Sequence, residues 1–389
     1  MTRPRGLVYV ESLLGIGHGV RVAAVVQALQ RRGFDITCVS GSLEITENEL
    51  AGAKLVRLPQ IKAENASFTR LIDANGRAID ETWRRRRSSA ILETYREIQP
   101  QIILIEGFPF SRWQFRFELL PLIEAAKGNS TIVCSVRDII VAKQNPRRIN
   151  EIVNLIENEF EIVLVHGDEA FVKFDETFPA AKQIKNKLRY TGYVTSDAPK
   201  TIANADAALG EVLVSVGGGA VGSKLLNVAL EVRAQGVLKK HPWRILTGRN
   251  LPENEVSALK KQASEYRGLV IEQFRSDFPS LLSSCAVSIS QAGYNTIVDL
   301  LVARVRAIVV PFSKDSETEQ TLRSHLLEKR GLVTVIQETQ LSTQLLANTL
   351  TNVIASQRPQ QSYIALDGAT QSASLLYNLA MAVQKNGTP

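Results

Sequence analysis

Short apolar runs alternate with amphipathic stretches along the whole chain. Residues 7–10 are an apolar run, 20–31 repeat apolar positions at helical spacing, Gly33 is a helix terminator, and 36–39 is the next run. Further runs lie at 102–105, 131–136 and 162–165. They are short, β-branched and apolar without alternation, as parallel strands buried on both faces are. Helical stretches between them imply right-handed crossovers. The pattern restarts with a strand at 212–216, a glycine loop at 217–219 and a helix at 223–235. Strands at 244–246, 269–271, 286–289, 307–310 and 333–336 follow, again separated by helices. Residues 196–210 are small, polar and contain a proline, which makes them the best linker. The pattern therefore predicts an α/β chain of two Rossmann-like doubly wound domains, 1–196 and 197–365. A last segment, 366–389, with a helix near 368–384, is expected to pack back on the first domain. Ligands of such domains bind at the carboxyl ends of the strands, and the two sets of strand ends are expected to face one cleft.

Composition narrows the class. The 389 residues are 44% hydrophobic and 22% charged, which is globular and suits two or three domains. No apolar run approaches the roughly 20 residues of a membrane span. The first residues read as neither signal peptide nor anchor, because Glu11 and a glycine loop follow a short apolar stretch. Cys38, Cys134 and Cys285 are far apart and form no CxxC, which argues against a disulfide framework or zinc site and for a reducing cytoplasm. Residues 1–150 carry 22 Lys/Arg against 15 Asp/Glu, and the rest carry 24 against 24. A basic first half points to an acidic ligand, an anionic membrane surface or nucleic acid, or is an unevenly charged solvated face.

Three loops carry candidate chemistry. The first holds Gly15, Gly17 and His18, and lacks the sixth glycine of a dinucleotide fingerprint. His18 stands where strand becomes helix and is a candidate general base; a helix cap is the plain alternative. The second holds Gly217, Gly218 and Gly219 without the G-K-[ST] of an ATP-hydrolysing loop, and suits a phosphate or sugar. The third runs through Gln291, Ala292, Gly293, Tyr294, Asn295 and Thr296 into a helix bearing Asp299. Small residues at a helix start suit a diphosphate, and a carboxylate one turn on suits ribose hydroxyls. Glu319 and Gln320 open a later helix and suit sugar hydroxyls, or form an exposed face. Glu106, Arg137 and Asp138 end strands of the first domain; either carboxylate is an alternative base, and ion pairing is the plain reading of both. Arg84–Arg87 cannot form one helical stripe, but two or three of them suit an anionic lipid or phosphate. Arg112 and Arg116 interleave with Phe108, Phe110, Trp113, Phe115 and Phe117. Such a mix suits a membrane interface or simply fills a groove, and no nucleic-acid motif accompanies it.

The stretches V-S-V-G-G-G-A-V-G, E-Q-F-R-S-D-F-P-S-L-L-S-S-C-A-V-S-I-S-Q-A-G-Y-N-T-I-V-D-L-L and V-V-P-F…E-T-E-Q, over about 212–331, resemble the family 28 glycosyltransferases of the GT-B fold. That family includes the N-acetylglucosaminyltransferases that make lipid-linked peptidoglycan precursor. The segments F-P-F-S-R-W-Q-F-R-F-E-L-L-P-L, V-H-G-D and Y-T-G-Y-V look more like bacterial glycosyltransferases of unassigned substrate. The resemblance implies that the second and third loops hold a donor diphosphate and that Phe274 offers its backbone to the uracil edge. It implies further that Asp299, where the family has glutamate, binds the ribose, and that Glu319 and Gln320 touch the donor sugar. Gly15-x-Gly17-His18-x-x-Arg21 also resembles the loop of the GT-B nucleotide-sugar hydrolases of pseudaminic acid synthesis, whose histidine activates water. The resulting expectation is an inverting, metal-independent transfer from a UDP-linked sugar to an unidentified acceptor, for which the basic first domain suits an anionic one, with no cofactor. Gly15, Gly17, Arg112 and Arg137 would lie on the acceptor side. Hydrolysis of the donor by His18-activated water, or non-catalytic nucleotide-sugar binding, are the alternatives. The expected location is cytoplasmic, with peripheral contact at the inner membrane and no nucleic-acid partner.

Overall fold

The computed structural model describes residues 3–13, 17–42, 45–47, 50, 52–63, 71–141, 145–195, 210–218, 221–313, 318–360 and 363–386. The chain divides into two compact units: Met1–Ser196 with Ile364–Pro389, and Asp197–Tyr363.

In the first unit β1 (Arg5–Tyr9), α1 (Gly17–Arg31), β2 (Asp35–Ser40) and β3 (Lys54–Arg57) lead to the small antiparallel pair β4 (Lys62–Ala63) and β5 (Leu71–Ile72). Then come α2 (Glu81–Ile98), β6 (Ile102–Glu106), α3 (Arg116–Ala126), β7 (Thr131–Arg137), α4 (Pro146–Glu159), β8 (Ile162–His166) and β9 (Leu188–Tyr190). The main sheet is parallel throughout, in the order β3-β2-β1-β6-β7-β8-β9. Side chains alternate across it, as a pleated strand requires. Leu7 and Tyr9 enter one core with Ile91, Phe115 and Leu119, while Val8 and Val10 enter the other with Val22, Val26 and Leu376. The last helix, α11 (Gly368–Asn386), packs beside α1 in that second core.

The second unit repeats the design with β10 (Val212–Ser215), α5 (Ser223–Ala234), β11 (Trp243–Leu246), α6 (Glu253–Ala263), β12 (Leu269–Glu272) and α7 (Phe278–Ser284). It continues with β13 (Val287–Gln291), α8 (Tyr294–Ala303), β14 (Ala307–Val310), α9 (Glu319–Glu328), β15 (Thr334–Val335) and α10 (Thr343–Ala355). Its parallel sheet has the order β12-β11-β10-β13-β14-β15.

Each sheet reverses its winding once, between β1 and β6 and between β10 and β13. Open α/β sheets bind ligands beyond the strand ends at such switch points. Helix α1 begins at Gly17, three residues before the periodicity starts, so His18 lies in its first turn. The edge strands β3 and β9 carry partly exposed, polar-interrupted sequences and do not show in the apolar pattern.

Candidate functional site

In the first unit the switch point gathers charge in a dry setting. Glu106, the last residue of β6, is buried, and its Oε1 accepts from His18 Nδ1 at 2.8 Å. Arg21, one turn further along α1, donates to the same oxygen, and the Ser135 hydroxyl of β7 donates to Oε2. Burial alone would raise the Glu106 pKa, but the Arg21 charge and the His18 hydrogen bond hold it below the usual carboxylate range. Its negative charge is thus committed to neighbours. Of the three candidate bases, Glu106 is the one whose two oxygens already accept from His18, Arg21 and Ser135.

His18 keeps a fifth of its side chain exposed. Burial, helped by the Arg112 and Arg21 charges and opposed by Glu106, lowers its pKa to about 3. The ring is therefore neutral at pH 7. With Nδ1–H given to the carboxylate, the lone pair is on Nε2. Arg112 has a left-handed backbone (φ 59°) and donates from Nε to the Glu11 carbonyl at 2.9 Å. Its pKa falls to about 10, chiefly through burial. Arg137 is partly buried at the end of β7. Asp138 is fully buried and accepts from the Tyr193 hydroxyl, so it too has a structural task. Gly17 opens α1, whereas Gly15 lies outside the described residues.

The arginine run resolves into separate roles. Arg84, Arg85 and Arg86 are exposed, but Arg87 is completely buried between Glu118 (2.6 Å), Glu11 and the Pro59 carbonyl (2.6 Å). Arg87 is thus a core residue, unavailable to lipid or phosphate. Glu11, in the loop after β1, in turn accepts from the Gly41 amide at 2.7 Å, which ties Arg87 to the loop after β2 as well.

In the second unit the glycines do what their positions demand. Gly217 has φ 61° and Gly222 has φ 113°, a region that favours glycine. A Cβ at Gly222 would meet Val216 side-chain atoms at 2.7 and 2.8 Å. A Cβ at Gly217 would come within 3.9 Å of Thr296 Oγ1, so the second and third loops converge. Gly218 accepts from the Asn250 amide at 3.0 Å, while Gly219 lies outside the described residues. Gly293 caps α8 with open space around its Cβ position. Neither Gly222 before α5 nor Gly293 before α8 makes a side-chain cap hydrogen bond, and helix starts of that kind suit an anion. Ser215 and Ser290, paired in register on β10 and β13, have buried hydroxyls without a hydrogen-bond partner.

Asp299 lies in the second turn of α8, partly buried, and among the described residues it has no hydrogen-bond or ion-pair partner. Burial pushes its carboxyl up to about 7. Gln291 and Ala292 are buried beneath the loop, and Tyr294 is buried with Arg323 over its ring at 5.3 Å. Asn295 and Thr296 remain partly exposed in the first turn. Phe274 is 42% exposed, and the Arg249 guanidinium lies 4.0 Å from its ring centre. Among the described residues Arg249 has no carboxylate partner, and its neighbour Asn250 is the residue bonded to Gly218. Sequence reasoning missed Arg249, because a T-G-R-N loop carries no motif. Glu319 and Gln320 are engaged elsewhere: Glu319 is buried against Arg323 at 2.8 Å, and Gln320 accepts from the Phe312 amide at 3.0 Å. Among the described residues no three His, Cys, Asp or Glu side chains gather as a metal site requires, and no helix is long and apolar enough to cross a membrane.

Residues 213–375 match the profile of the glycosyltransferase family 28 C-terminal domain. A UDP-N-acetylglucosamine--N-acetylmuramyl-(pentapeptide) pyrophosphoryl-undecaprenol N-acetylglucosamine transferase of Clostridium perfringens (strain SM101 / Type A) is 29% identical over 189 residues. That match takes in 47% of this chain and about half (51%) of the relative. The enzyme of the same name from Vibrio atlanticus is 23% identical over 340 residues, 86% of each chain. Among solved structures, the calicheamicin glycosyltransferase CalG4 superposes over 100% of both chains with a TM-score of 0.64 at 16% identity, so the two share the GT-B fold.

Proposed function

We propose, from the match of residues 213–375 to the glycosyltransferase family 28 C-terminal domain, that the chain transfers a sugar from a UDP-linked donor to an acceptor hydroxyl. The observation that carries the reading is the lone Asp299 carboxyl beside two uncapped helix N-termini and two converging glycine loops. A carboxylate accepts from two ribose hydroxyls, while N–H groups at the start of α5 and α8 meet the diphosphate. The buried Ser215 and Ser290 hydroxyls line the same strand ends.

In this reading His18 is the general base. The acceptor oxygen attacks the anomeric carbon, its proton passes to Nε2, and the bond to the diphosphate breaks on the opposite face, inverting the centre. The leaving diphosphate is held by helix dipoles and backbone N–H groups, so the step calls for no metal or cofactor. Glu106 keeps the ring in the required tautomer. Arg112 places positive charge near His18, and Arg137 lies close enough to act on Arg112, which favours an anionic acceptor. The exposed Arg84, Arg85, Arg86 and Arg116, with partly buried Trp83, Trp113 and Phe117, suit a peripheral contact with an anionic cytoplasmic membrane face. Glu319 and Gln320 act behind the donor sugar, through Arg323 and the 312 backbone.

The test is a panel of UDP-sugars with and without a lipid-phosphate acceptor pool, read by mass spectrometry. Glycosylated acceptor that needs the intact chain supports transfer. Rapid, stoichiometric free sugar without acceptor makes the protein a donor hydrolase. His18→Ala should cut turnover by about 10²–10⁴-fold and leave UDP affinity nearly unchanged. Near-normal turnover in that variant removes His18 as the base.

A further inference from the structure

The first unit holds a second histidine that the reading above leaves unused. His166 ends β8 in the V-H-G-D stretch and is fully buried. Its Nε2 lies 2.8 Å from Ser135 Oγ, and its Nδ1 lies 2.9 Å from the hydroxyl oxygen of Thr191, in the Y-T-G-Y-V stretch. Ser135 has one hydroxyl proton and gives it to Glu106. What it turns toward His166 is therefore a lone pair, so Nε2 must carry the ring proton. Nδ1 of the neutral ring then accepts from Thr191, whose one hydroxyl proton turns to the ring at 2.9 Å rather than to the Gly192 carbonyl at 3.0 Å. Burial holds that ring neutral, with a pKa of about 3. At the other carboxylate oxygen, His18 donates through Nδ1. The two histidines are thus opposite tautomers, and the donors run one way from Thr191 through His166 and Ser135 to Glu106.

We propose that Ser135, His166 and Thr191 are positioning residues that fix the Glu106 carboxylate and, through it, hold His18 in the tautomer whose Nε2 can take a proton. The proposal rests on His18 as the base. Charge reaches both rings: Arg112 after β6, Arg21 from α1 and Glu106 of β6 act on His18, and Arg21, Glu106 and Asp138 after β7 act on His166. Arg137 of β7 acts on Arg112. Removing the Ser135 hydroxyl leaves Glu106 Oε2 short of a donor in a dry site. The carboxylate then draws harder on its remaining partners, and His18 becomes easier to protonate.

The chain has 4 histidines, so nitrogen NMR of the full chain with isotope-labelled histidine resolves each ring without any substrate. At neutral pH the expected spectrum shows His18 protonated on Nδ1 and His166 on Nε2. Ser135→Ala should enlarge the protonated fraction of His18 at pH 5 by about tenfold, one pH unit in midpoint. Thr191→Val, nearly the same shape, should bring Nδ1-protonated His166 into the mixture and move His18 in the same direction. It carries the test alone if circular dichroism shows Ser135→Ala unfolded. Wild-type His18 protonated on Nε2, or a His18 signal unmoved in the folded variants, overturns the proposal. Failure of the transferase reading shows elsewhere, as a wild-type chain that turns over no nucleotide sugar while these spectra are as expected.

Discussion

Asp299 offers the sharpest check on the donor site. Burial raises its carboxyl to about 7, and no partner among the described residues offsets the shift. The same group in an unfolded chain ionises near 3.9. The perturbation to apply is pH, and the ligand is uridine, which has the ribose diol but no phosphate to titrate in this range. With a midpoint of about 7, roughly nine-tenths of the free protein carries the proton at pH 6 and about one-tenth at pH 8. Only the ionised carboxylate accepts from both ribose hydroxyls, so affinity should rise about tenfold from pH 6 to pH 8, or about 1.4 kcal/mol. Calorimetry in two buffers of different protonation enthalpy should show release of close to one proton at about pH 6, falling toward none at about pH 8. Asp299→Asn keeps the shape and should bind weakly and without slope. A flat wild-type profile, or a slope that survives in the asparagine variant, would refute the ribose assignment. The folding equilibrium carries the opposite sign. The folded state keeps the Asp299 proton between about 4 and 7 while the unfolded state loses it, so this group's stabilisation fades as pH rises through that window.

His18 and His166, both depressed to about 3, act the other way: between about 3 and 6.5 the unfolded chain binds their protons and the folded chain does not. Each therefore lowers stability by about 1.4 kcal/mol per pH unit as pH falls, and urea titrations at several pH values should show His166→Gln with about half of that histidine slope; an unchanged slope contradicts the neutral, buried ring. Arg249→Gln, on an exposed loop, should weaken UDP by about tenfold and leave uridine unaffected, because the guanidinium neighbours the loop bonded to Gly218; equal loss for both ligands would place Arg249 against the base. Gly167→Ala would set a Cβ 2.3 Å from the Asp138 Cβ, a main-chain-anchored atom, and should cost about 2 kcal/mol or more in denaturant unfolding; a loss of less than about 0.5 kcal/mol would mean that Asp138 moves freely.

The strands that build both sheets were legible because burial on two faces leaves uninterrupted apolar runs, as at Ile102–Glu106 and Ala307–Val310. The edge strand Lys54–Arg57 was not, since one side of it faces water and its pattern resembles a loop. The glycine loops and His18 stood out because each is a local signal. Their partners are long-range. Ser135 meets Glu106 only because β6 and β7 align them in register, and His166 arrives on the next strand. Arg87 looked like its exposed neighbours until the fold brought Glu11 and Glu118, 76 and 31 residues away, onto its guanidinium. The burial of Glu319 is hidden in the sequence for the same reason, since nothing local shows its packing in the fold.

The return of α11 to the first unit has a consequence for how the protein is made. A ribosome releases the seven strands of the first sheet early, yet Ala369, Ala373, Leu376 and Ala380 belong to the core that lies against Val8, Val22 and Leu104. That flank stays uncovered while all of Asp197–Tyr363 is synthesised. The first unit begins first and is completed last, so the second can mature while its predecessor still exposes an apolar groove. A nascent chain at that stage is a natural client for chaperones that bind apolar surface, and release from them coincides with the docking of the final helix.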